Sequence, residues 1–107
     1  MPKFMALYTG KPGPQPDAAT IAKGGQAWGE WMARHAGVIV DTGGPLGKTR
    51  RVSAAGIEDS RNNVVAYVIV EAEDQAAAAQ LFENHPHFSI FPGDGVDVMP
   101  CLPIPGA

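Results

Sequence analysis

Seven consecutive residues, Val64 to Val70 (Val-Val-Ala-Tyr-Val-Ile-Val), constrain this chain more than any other feature. A β-branched and apolar run with no polar residue at alternate positions is the pattern of a strand buried on both faces, and therefore of a central strand. Such a strand needs cover on both sides. The rest of the chain has to supply that cover or leave it to a partner.

The segments around the run read as alternating elements. Downstream, Asp74 caps a helix whose apolar stripe is Ala77, Ala78, Leu81 and Phe82, and Pro86 ends it. Phe88 to Asp94 is a loop with a Pro-Gly turn signal, and Val96 to Leu102 alternates as a last strand before a Pro-Ile-Pro-Gly tail. Upstream, Lys3 to Tyr8 is a first strand and the proline-punctuated stretch Lys11 to Pro16 a loop. Asp17 then caps a helix with Ile21, Gly25, Trp28 and Met32 on one face and Trp31 widening the stripe.

Gly24, Gly25 and Gly29 each cost about 1 kcal/mol against alanine in a helix interior, which predicts a close approach of this helix to the sheet. Arg34 and His35 complement the helix C-terminus, and Gly37 is a natural left-handed terminator. Val38 to Val40 opens a second strand, broken at Asp41-Thr-Gly-Gly-Pro by a turn or bulge. Lys48 to Ala54 is a more polar third strand whose basic residues blunt an exposed edge, and Gly56 to Asn63 is a polar loop.

The order β, α, β, β, β, α, β predicts an α+β fold, ferredoxin-like, with an antiparallel sheet and two helices on one face. At 107 residues the chain is the size of a single domain, spanning 1–107. Strand alternation places Phe4, Ala6 and Tyr8 on one side of the first strand and Met5 and Leu7 on the other. Both sheet faces are then apolar, and helices on one side cover only one of them. A second subunit is the economical cover, so the expectation is a homodimer with sheets face to face, a dimeric α+β barrel.

In several of these segments the chain resembles the YCII-related, or DGPF-type, family of dimeric α+β barrel proteins. The matching residues are the opening strand Lys3 to Tyr8, the tryptophan-bearing helix running into Ala36-Gly37-Val38-Ile39-Val40, and the Gly-Gly-Pro-Leu turn at Gly43 to Leu46. The strand and helix cap Ala66 to Asp74, His85-Pro86, and Gly95-Val96-Asp97-Val98 with its Met-Pro tail complete the set. The Asp-Gly-Pro-Phe motif itself is absent: Glu58 to Val64 occupies its place. YCII-type members also carry a helix-one histidine, suggested to pair with an aspartate. That position maps near Ala27 or Trp28, so the resemblance assigns no such role to His35, while Asp41 is the nearest counterpart of the aspartate.

The residues themselves suggest where chemistry would lie. His85 and His87 flank Pro86 and can converge on one side, as a proton relay requires. Together with Asp41 they are the candidate catalytic residues. Tyr8, Trp28, Trp31 and Tyr67 are the candidate walls of a pocket between helix and sheet, where core packing is the plainer reading of the tryptophans. Two histidines do not complete a metal site, and no phosphate loop, serine or cysteine triad or zinc helix occurs, so no metal or cofactor is expected. Cys101, the sole cysteine, reads as a packed or dimer-edge residue.

A net charge of -3 argues against nucleic acid, and the absence of a signal peptide or membrane-length segment leads to the expectation of a cytoplasmic protein with no membrane partner. Two functions fit: a small-molecule enzyme using acid/base chemistry in a barrel cavity, or a non-catalytic small-ligand-binding or regulatory domain.

Overall fold

The computed structural model describes residues 1–10, 16–89 and 93–106. Its element order is β1 (Lys3–Gly10), α1 (Ala18–Arg34), β2 (Ile39–Pro45), β3 (Thr49–Ser53), β4 (Gly56–Ser60), β5 (Val64–Glu71), α2 (Gln75–Gln80), α3 (Pro86–Ser89) and β6 (Gly93–Pro100). Four strands form one antiparallel sheet in the order β2-β5-β1-β6, while β3 and β4 pair with each other. With the hairpin set aside, this is the ferredoxin-like order the sequence predicts. The apolar run Val64 to Val70 lies in β5, an interior strand.

Alternation along β1 and β5 decides where the core sits. Phe4, Ala6 and Tyr8 of β1 and Ala66, Val68 and Val70 of β5 are buried on the face that the helices cover. Trp31 of α1, Ala78 of α2 and Phe82 close that core from the helical side. Met5 and Leu7, with their cross-strand partners Ile69 and Tyr67, occupy the opposite face. There they are half-buried, with Val65 and Met99 more exposed still. The apolar second face is therefore present as expected, and no element described in the chain lies over it. With a radius of gyration of 15.4 Å the chain is more extended than the ~13 Å of a compact domain this long, which a one-sided sheet and a projecting hairpin explain.

Local expectations fare unevenly. Asp17 and Asp74 are the helix caps: Asp17 Oδ1 accepts from the Thr20 N–H at 2.7 Å and Asp74 Oδ1 from the Ala77 N–H at 2.8 Å. The break after Val40 is a bulge, since β2 continues through Asp41 to Pro45 with register shifts against β5. Gly43 takes a φ of +60°, and a Cβ there would collide with the Tyr67 carbonyl, so the bulge needs glycine.

Several expectations need correction. The polar stretch after Gly56 is a strand, β4, paired with β3 in a hairpin, because cross-strand pairing supplies hydrogen bonds without an apolar face. Pro86 does not end the second helix, which stops at Gln80 with Leu81 as its cap; it opens α3, where its missing N–H costs nothing, and α3 takes Phe88 out of the expected loop. The glycines of α1 do not share one cause: Gly24 is buried, but added Cβ atoms at Gly25 or Gly29 would meet nothing within 4 Å. The helix stripe is rotated accordingly, towards Gly24, Trp28 and Trp31, leaving Ile21 exposed. The helix ends at Arg34 with His35 as its cap, and Gly37 is not left-handed.

Candidate functional site

Six aromatic rings gather between β1 and the helices: Tyr8, Trp28, Trp31, Phe82, His85 and His87. Tyr8 reaches this position because it lies on the core face of β1, and Trp28 and Trp31 because adjacent turns of α1 present them to the sheet. The tight turn Glu83-Asn84, with Asn84 at a φ of 59°, delivers the two histidines from below. Tyr8 packs 4.6 Å from Trp28, 5.0 Å from His85 and 5.2 Å from His87, centroid to centroid. Trp31 stacks on Phe82 at 5.2 Å and donates from Nε1 to the Leu81 carbonyl at 3.1 Å, locking α1 onto the segment after α2.

The hydrogen bonds determine the tautomers. His85 Nδ1 accepts from the backbone N–H of His87 at 3.0 Å, so the proton of a neutral His85 resides on Nε2. Nε2 then donates to Tyr8 Oη, 3.0 Å away. The Tyr8 proton is thereby released to point elsewhere. His87 Nε2 lies 2.7 Å from the Thr9 carbonyl, an acceptor only, so it carries a proton, and Nδ1 of His87 has no hydrogen-bond partner among the described residues. Gly93 makes this arrangement possible, since a Cβ there would run into the His87 backbone and ring.

Burial keeps the pair neutral. His85 is wholly inaccessible, and desolvation, followed by the nearby His87 and His35, pulls its pKa from 6.5 down to about 4. Desolvation pushes the Tyr8 phenol well above its ordinary range. Both groups are thus uncharged at neutral pH, as hydrogen-bonded polar groups in a core must be.

Of the residues singled out from sequence, Tyr8, Trp28, Trp31, His85 and His87 come together. Two do not. Tyr67 pairs with Leu7 and Gly44 and lies on the opposite sheet face. Asp41 pairs with Ile69 on β2 and is exposed, its carboxylate accepting from the Gly43 N–H at 2.8 Å as the bulge demands. Phe82 and the Thr9 carbonyl complete the cluster. The first was legible as a core position, but the second depends on strand register and left no trace in residue type. Among the described residues no group of three or more His, Cys, Asp or Glu could hold a metal ion. Nor is any helix among them long and apolar enough to cross a membrane. Cys101 is exposed and unpaired.

No protein-family model and no curated protein matches the chain. Among solved structures it is similar to 5-chloro-2-hydroxyhydroquinone dehydrochlorinase (TftG) from Burkholderia phenoliruptrix AC1100, in a complex with 2,5-dihydroxybenzoquinone. The TM-score is 0.55 at 17% identity, over 90% of this chain and 89% of that one. At that identity the likeness is one of fold. It agrees with the α+β, ferredoxin-like reading.

Proposed function

We propose that this chain is a small-molecule enzyme of the YCII-related type, working as a homodimer and moving protons with the Tyr8–His85–His87 cluster. The observation that carries this reading is the Tyr8 Oη to His85 Nε2 hydrogen bond inside an aromatic cage. Phenylalanine and leucine would fill the same volume without desolvating two titratable groups, so retaining both is a feature more typical of active sites than of cores. In the proposed roles, Tyr8 donates its released proton to a substrate oxygen. His85 orients that hydroxyl, and His87 accepts a proton at Nδ1 while Thr9 steadies the ring. Asp41 lies outside this relay.

The fold relative named above is a dehydrochlorinase bound to a dihydroxylated quinone, which makes hydroxylated six-membered rings the first substrates to try. Planar rings suit aromatic side chains, which here pack on one another and would have to part to admit one. Turnover of 5-chloro-2-hydroxyhydroquinone, followed by chloride release, is expected for the wild type, with kcat falling about 10²-fold or more in Tyr8→Phe and His87→Ala. Unchanged turnover in both variants would sink the assignment of these residues.

A second reading has its own support. Tyr8 and His85 are completely inaccessible, so a substrate meets them only if the cage opens. A domain that binds such rings without converting them is stabilised by 2,5-dihydroxybenzoquinone in a thermal melt and releases no chloride from the chlorinated compound.

A further inference from the structure

A different part of the molecule offers a second cleft. The β3–β4 hairpin pairs with no strand of the four-stranded sheet, and between its base and the start of β5 lies a cleft of about 580 Å³. That volume is in the range of sites for small organic molecules. Its lining mixes apolar, polar and charged residues. Leu46, Val64 and Val65 contribute apolar surface, and Lys48, Arg50 and Arg61 bring cations from separate points along the chain.

One carboxylate opposes those three cations. Asp59 lies 3.5 Å from Arg50 Nε, and both side chains are exposed, a solvated pair of small net effect. Lys48 and Arg61 make no ion pair among the described residues. In a chain of net charge -3, a cleft lined by three cations and one carboxylate runs against the global balance and attracts anions. The walls are also fastened. Asn62 donates from its side-chain amide to Thr49 Oγ1 at 3.2 Å and accepts from the Val64 N–H at 2.9 Å, tying the hairpin base to β5.

We infer that this cleft binds a small organic anion, a carboxylate with an apolar body. The carboxylate lies between Lys48 and Arg61, and the body rests on Leu46 and Val64. A bare inorganic anion would leave the apolar surface in water, and a neutral ring would leave the cations unanswered. Tyr8 and the histidines lie on the helix-covered side of the sheet, so this site is independent of the proton relay proposed above.

The test uses the full chain with benzoate, benzamide and inorganic phosphate as probes, read by amide chemical shifts in NMR titrations. Benzoate is expected to shift the amides of Leu46, Val65 and Arg61. Benzamide and phosphate should bind at least tenfold more weakly. Lys48→Ala and Arg61→Ala should each weaken benzoate at least tenfold with unchanged circular dichroism, and Arg61→Lys should retain most of the affinity. Equal binding of benzamide or of phosphate would overturn the inference, as would no shift with benzoate. So would loss of self-association in the alanine variants at sedimentation equilibrium without any benzoate binding, because the cleft would then be a contact between copies.

Discussion

His85 uses its two ring nitrogens differently: Nδ1 is held by a backbone N–H and Nε2 gives its proton to Tyr8. Protonating Nδ1 would set two donors against each other at a side chain closed to bulk solvent, which adds to the cost of charging the ring. Stability should depend on pH through this residue, with a definite sign. The folded pKa, about 4, lies below the ordinary 6.5, so the unfolded chain binds the proton first as pH falls. The contribution is complete above pH 6.5 and lost progressively towards pH 4. Between pH 7.5 and 4.5 the wild type should lose about 2 to 3 kcal/mol more than His85→Gln, measured by urea denaturation at each pH. Equal losses in the two proteins would show that His85 is not held neutral.

Among the elements, α1 and β2 answer the same substitution with opposite signs. Gly25 and Gly29 lie in the exposed interior of α1, where a methyl group meets nothing. Alanine at both should raise unfolding stability by about 1 to 2 kcal/mol in total, through propensity and a less disordered unfolded chain. Gly43→Ala in the β2 bulge should lower it by more than about 1 kcal/mol, because φ is positive and the Tyr67 carbonyl occupies the methyl position. Paired urea melts check both. A stabilised Gly43→Ala would mean that the bulge relaxes. The same contrast shows how far element-scale reading goes. The caps Asp17 and Asp74 were legible because capping is a local hydrogen bond between near neighbours. The reason for each glycine was not, because it depends on what lies across the sheet or in solvent.

At the scale of the whole molecule, the sheet has one covered face and one apolar face with Met5, Leu7 and Ile69 across its middle. The proposed homodimer covers it. Sedimentation equilibrium should then give a mass near twice the 11.2 kDa of the chain, and Ile69→Asp should shift it to the monomer while the helical circular dichroism persists. A wild-type monomer at high micromolar concentration would remove the basis for a barrel.

The sequence by itself determined the antiparallel α+β arrangement, the two capped helices and the apolar character of both sheet faces, because periodicity and capping are written in residues a few positions apart. Only the tertiary structure decided which candidate residues meet. Tyr8 and His85 are 77 positions apart and bond in the core, whereas Tyr67, one strand from Tyr8, faces the other way. Arg61 joins Lys48 in one cleft only because a polar stretch folds into a hairpin. Register and chain reversal set those distances, and neither is a property of any single segment. The run Val64 to Val70 shows both sides of this: its residues demanded cover on two faces, and the fold supplies cover on one.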